Sequence, residues 1–147
     1  MRTIEKLFGA IVLNGLLFLI LNFPGGAILL IFSLSVLSFL YFPLGFYILR
    51  DKDTKQQNLG LSILSGLALG QVATGIMFSL LDFPGQEIML PIGLVAILIT
   101  LIAVFLLKRK ATEELKTYYR NLLIRVAVWS MLAVVAFLRQ VQSFLWM

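Results

Sequence analysis

Leu21-Asn22-Phe23-Pro24-Gly25-Gly26 is written again, sixty positions on, as Leu81-Asp82-Phe83-Pro84-Gly85-Gln86. Proline at the second position of such a turn fixes φ at about −65°, and glycine at the third supplies the positive φ of a type II reversal. Each copy therefore predicts a tight link between two antiparallel helices. The match runs on in both directions, pairing Val12 with Val72, Gly15 with Gly75, Phe18 with Phe78, Ile28 with Ile88, Leu30 with Leu90 and Leu34 with Leu94. Residues 7–49 and 59–107 thus read as two copies of one helical hairpin, the match itself running from 67 in the second. An even number of helices separates the copies, so both point the same way, and the repeat is parallel, about an axis along a membrane normal.

A membrane is what composition demands. Of 147 residues, 61% are hydrophobic and only 13% charged, far from the balance of a soluble domain. The apolar residues fall in blocks at 7–22, 26–49, 59–81, 88–107 and 121–138, free of Asp, Glu and Lys, with Arg in the last alone. A helix of about 20 apolar residues crosses the hydrocarbon core, and only a helix or a closed barrel satisfies its own backbone there. The expected fold is an all-α polytopic membrane helix bundle: a single integral membrane domain over 1–147, with five spans, two parallel-repeat hairpins and a C-terminal span over 113–140. Thr3 to Lys6 extend the short first block, with Lys6 snorkelling. Arg2 and Lys6 ahead of an apolar run also fit a signal peptide, but no small-x-small cleavage pattern follows and Phe23-Pro24-Gly25 leads into another span.

With the N-terminus in the cytoplasm, eleven of the twelve basic residues fall on the inner side and only Arg139 lies outside. This asymmetry predicts a bacterial inner-membrane protein with its C-terminus outside. The net charge of +5 reads as an anchor against anionic lipid. Nucleic acid is not an expected partner, because the basic residues are split among short inner segments with no soluble domain to form a groove. Phe23 and Phe83 belong at outer headgroup depth, and Trp146 at the same interface. Asp82 and Glu87 flank the second turn, where Glu87 complements a helix dipole; an outer cation site is the other reading of that pair.

Ser62, Gly66, Gly70 and Thr74 recur every four residues and form a small-residue ridge that admits another helix closely. The partner is either a helix of this chain or a second molecule, and a solute path along the ridge is the third option. Asn14 and Gln71, with Gly75 beyond, are expected to form a polar seam. Pro43 and Gly45 predict a local bend. Thr112 is the expected N-cap of the fifth helix, ahead of Glu113 and Glu114, with Tyr118, Tyr119 and Arg120 at the inner boundary. Arg125, five positions into its apolar block, is expected to snorkel inward.

The chain has no His and no Cys, which removes thiolate nucleophiles, disulfides and the ordinary zinc and haem ligands. The reading places no carboxylate within a span, hence no proton relay, and gives Ser33, Ser35, Ser38 and Ser130 no evident base. No catalytic residue, metal or cofactor is expected. Two classes remain: a structural or accessory subunit packing with itself or another membrane protein, and a small transporter or channel for a neutral solute lined by Asn14, Gln71, Thr74 and Ser79.

The pattern Gly15-x-x-Phe18-x-x-x-x-Phe23-Pro24-Gly25, then Leu29-Leu30, and its counterpart Gly75-x-x-Phe78-x-x-x-x-Phe83-Pro84-Gly85, then Met89-Leu90-x-x-Gly93, resembles the two-helix hairpin of the membrane subunit of the gliding-motility and type 9 secretion motor. That family drives rotation with proton flow through an acidic residue in its second span. Here the second and fourth spans carry no Asp or Glu, no basic residue precedes either Phe-Pro-Gly, and no long cytoplasmic domain follows. The resemblance therefore implies a hairpin kept as scaffold, without the family's proton site.

Overall fold

The structure, a computed structural model, describes residues 3–49 and 58–145. Arg2, Arg50, Lys52, Lys55 and Trp146 lie outside the described residues. The described residues form five helices: α1 (Thr3–Ile20), α2 (Gly26–Ile48), α3 (Leu59–Leu80), α4 (Gln86–Arg109) and α5 (Glu113–Leu145). All five are long and apolar enough to cross a membrane, and no strand occurs among the described residues. Large apolar side chains point outward along the bundle, among them Ile28, Phe32, Phe39, Val95 and Met131.

The α1–α2 and α3–α4 links share one conformation, and it explains the residues that repeat. Asn22 and Asp82 sit at positive φ, 54° and 53°, a left-handed conformation that Asn and Asp tolerate better than other side-chain-bearing residues. Phe23 N–H donates to the Phe18 carbonyl at 2.8 Å and Asn22 N–H to that of Leu19 at 3.2 Å; together they form a Schellman C-cap. The Phe18 and Phe23 rings meet edge to face at 5.8 Å, the apolar contact that accompanies this cap. Phe83 N–H and the Phe78 carbonyl repeat the bond at 3.0 Å, and the Phe78 and Phe83 rings repeat the stacking at 5.5 Å. Gly25 (φ 96°) and Gly85 (φ 92°) then supply the third position of each type II turn.

Inside each hairpin a glycine sets the helix spacing. A Cβ on Gly15 would lie 3.0 Å from the Leu30 side chain, and one on Gly75 would lie 2.9 Å from the Leu90 Cα. The same pair of aligned positions thus makes the contact in both hairpins.

Helix α3 is the centre. It packs on α2, α4 and α5, whereas α1 makes backbone contact with α2 alone; 61% of the α3 span is buried against 17% of α1. The ridge of α3 faces α2: a Cβ on Gly66 would come within 2.6 Å of the Tyr41 carbonyl and 2.8 Å of the Gly45 Cα. Ser38 donates to the Gly70 carbonyl at 3.0 Å and lies 2.8 Å from the Thr74 hydroxyl. Helix α2 continues through Pro43, and Gly45 serves this close approach to α3.

Helix α5 lies parallel to α3. The Ser62 and Tyr118 hydroxyls hydrogen-bond at one end, and Ser79 donates to the Ala136 carbonyl at 3.2 Å near the other. Tyr118 and Tyr119 are both buried in the bundle, and Arg120 is exposed. The helix begins directly after Thr112, whose carbonyl accepts from Lys116 N–H at 3.1 Å.

Gly66→Leu is expected to force α2 and α3 apart, costing about 3 kcal/mol or more through overpacking. The measurement is the unfolding midpoint of the purified chain in mixed micelles, with Gly60→Leu as the comparison, since a Cβ there meets only the Asn58 side chain at 3.7 Å.

Candidate functional site

The face that α1 turns to α2 carries Glu5, Val12 and Gly15, all buried. Glu5 therefore stands where the helix period puts a core residue, seven positions before Val12, and is 4% exposed. It is a carboxylate inside a helix fit to span a membrane, contrary to the expectation that no span carries one. On α5 the buried face runs through Tyr118, Leu122, Val126, Trp129, Ala133 and Ala136, and Arg125 is part of it.

Arg125 turns its side chain into the bundle. It is fully buried, and its Nη2 lies 2.9 Å from Glu5 Oε2. Glu5 stands in the first turn of α1, so the Arg125 side chain reaches toward that end of the bundle while staying covered by it. A buried ionised side chain is costly unless paired. The missed signal was in the sequence, since Arg125 shares the helical face of Trp129 and Ala133, and Glu5 that of Val12 and Gly15.

Other groups complete the pairing. Tyr41 of α2 donates its hydroxyl to Glu5 Oε1 at 2.9 Å, and Arg125 Nη1 donates to the Leu49 carbonyl at 3.3 Å. Leu49 is the C-cap of α2, where carbonyls lack helical donors and the macrodipole is negative. Glu5 lies in the first turn of α1, at the positive end of its own helix. Each charge thus has an opposite charge and a helix end of favourable sign. The Tyr41 ring meets Trp129 edge-on at 6.0 Å and 89°.

Beside the cluster lies a crevice of about 150 Å³ between α1, α2 and α5, lined by Glu5, Gly9, Val12, Leu13, Leu37, Tyr41, Val128, Trp129 and Leu132. No backbone contact joins α1 to α5, so the ion pair spans the gap that this crevice leaves. A Cβ on Gly9 would meet nothing within 4 Å, so this glycine widens the opening. The walls are almost wholly apolar, with the Glu5 carboxylate at one end.

The sequence-derived candidates fall elsewhere. Ser62, Gly66, Gly70 and Thr74 are filled by α2 and by Tyr118 of α5. Asn14 donates to the Ala10 carbonyl of its own helix at 2.8 Å and is exposed. Gln71 reaches the Met89 carbonyl at 3.4 Å, and α1 has no backbone contact with α3. Asn14 and Gln71 are therefore not brought together, and the expected polar seam does not form. Phe23, Pro24, Gly25, Phe83, Pro84 and Gly85 build the two turns. Asp82 and Glu87 are exposed, and among the described residues no group of three or more metal-ligating side chains converges.

Arg125→Met is expected to cost about 3–5 kcal/mol, because it strands the Glu5 carboxylate in an apolar interior, while adding Glu5→Leu should recover most of that loss. Equilibrium unfolding of the two variants in micelles reads both numbers; equal stability of the single and double variants would contradict the pairing. No family model, curated protein or solved structure matches this chain.

Proposed function

We propose that this is a non-catalytic, multi-pass protein of the bacterial inner membrane, a structural or accessory subunit that packs with itself or with another membrane protein. In this reading the N-terminus and the basic links face the cytoplasm, the two Pro-Gly turns and the C-terminus face outward, and the hairpins are parallel repeats closed by α5. The charge asymmetry supports the orientation, and the matched turns and the matched Gly15–Leu30 and Gly75–Leu90 contacts support the repeat. The likeness to the motor hairpin fits the same scaffold role.

The observation that carries the reading is an unfilled apolar groove on α2. It holds about 650 Å³ and is lined by Ile28, Ile31, Phe32, Ser35, Val36, Phe39, Leu40, Pro43 and Leu44. The ridge of α3 is occupied within the chain, so this groove is the surface shaped for a further helix. Phe39, 77% exposed, stands on its wall.

Because the chain has no cysteine, Phe39→Cys places a single reactive thiol there. Crosslinking in native membranes is expected to give one discrete adduct, of doubled mass if the partner is a second copy. Val95→Cys, on an exposed position of α4, is the comparison; equal, diffuse labelling at both sites would overturn the reading.

A second reading, a small transporter for a neutral solute, is favoured by the buried Glu5–Arg125 pair beside the crevice, since ionisable groups within spans mark transport paths. Solute flux in reconstituted vesicles that is abolished by Glu5→Gln would establish it over the first.

A further inference from the structure

A polar notch of about 310 Å³ lies where α4 hands over to α5, lined by Lys108, Glu113, Lys116, Thr117 and Arg120. Three cations meet one carboxylate there. Glu113 is engaged by Lys116 in an ion pair. Lys108 and Arg120 have no ion-pair partner among the described residues, so the notch carries two uncompensated positive charges. Arg109 does not line it; its guanidinium lies over the Phe105 ring at 4.5 Å.

The wall below the notch changes character within one turn. From Arg120 the same face of α5 continues at helical spacing through Ile124, Met131, Val135 and Leu138, all exposed. A charged pocket thus stands at the head of an apolar stripe, which is the shape of an amphiphile with an anionic head and hydrocarbon chains. A soluble anion would use the pocket and leave the stripe uncovered.

We propose that this notch is a binding site for an anionic phospholipid, whose phosphate is held by Lys108 and Arg120 while an acyl chain lies along Ile124 and Met131. Guanidinium and ammonium groups both donate to phosphate oxygens, and Thr117 adds a hydroxyl to the lining. Lys116 is kept by Glu113, which leaves the two unpaired cations to set selectivity for an anionic over a zwitterionic head. The proposal rests on the membrane reading above, but not on the orientation or on any protein partner.

The test is native mass spectrometry of the full chain in detergent, titrated with phosphatidylglycerol or phosphatidylcholine of matched chains. The wild type is expected to retain phosphatidylglycerol preferentially. Lys108→Gln and Arg120→Gln should each weaken that retention by roughly fivefold, as expected for one interfacial cation. Lys110→Gln, outside the notch, should leave it unchanged, and Arg120→Lys should restore part of it. Melting curves of each variant without lipid identify any that merely fails to fold, and Arg120→Lys then carries the comparison. Equal retention of the two lipids, or no loss in the glutamine variants, would overturn the proposal. So would protection by inorganic phosphate alone matching that by phosphatidylglycerol, which would mark a free-anion site. Loss of the Phe39→Cys adduct would leave this result untouched, so failure of the subunit reading and failure of the lipid site are separable.

Discussion

The close approach of α2 and α3 is the constraint on which the bundle depends. Between helices surrounded by hydrocarbon there is little hydrophobic drive to associate, so attraction comes from dispersion over short distances and from hydrogen bonds. Gly45 and Gly66 remove the side chains that would hold the two backbones apart. Ser38 then reaches the Gly70 carbonyl and the Thr74 hydroxyl. With α2 and α3 in place, α4 docks through Gly75 and Gly93 against Leu90 and Val72, and α5 through Ser62 and Ser79. Small and hydroxyl-bearing residues thus serve every interface of the central helix.

The Glu5–Arg125 pair answers a different need. It does not draw helices into contact, since α1 and α5 are separated by the crevice beside Tyr41 and Trp129. What it does is fix the angular position of α1, which otherwise leans on α2 alone. A buried ion pair adds little net stability over an apolar substitute of the same shape, but it penalises every arrangement in which its members are apart. Directional contacts of this sort suit a peripheral helix whose outward face is apolar and offers no other means of orientation.

Much of this was legible in the sequence. The five helices followed from block length and hydropathy, and the turns from Pro24, Gly25, Pro84 and Gly85 in their positions. The phase of the α3 ridge was also legible, because small residues at intervals of four can lie only on one face. What it packed against was not, since Gly45 has no periodic companion and reads equally well as a kink. Arg125 was read by its distance from the edge of an apolar block, a measure that cannot show the carboxylate of α1 it meets inside the bundle. Glu5 was passed over because a carboxylate near the head of a short block resembles a boundary residue. Only the spacing to Val12 and Gly15 distinguishes the two, and spacing on α1 cannot reveal that the partner comes from α5. Asn14 and Gln71 were paired on polarity alone, and their helices do not adjoin.

The ion pair joins residues 120 positions apart, one from α1 and one from α5. The Glu5–Arg125 contact can therefore form only once α5 has been made. Because α1 makes backbone contact with α2 alone, the orientation that this pair gives α1 is settled last, when the fifth helix joins the other four.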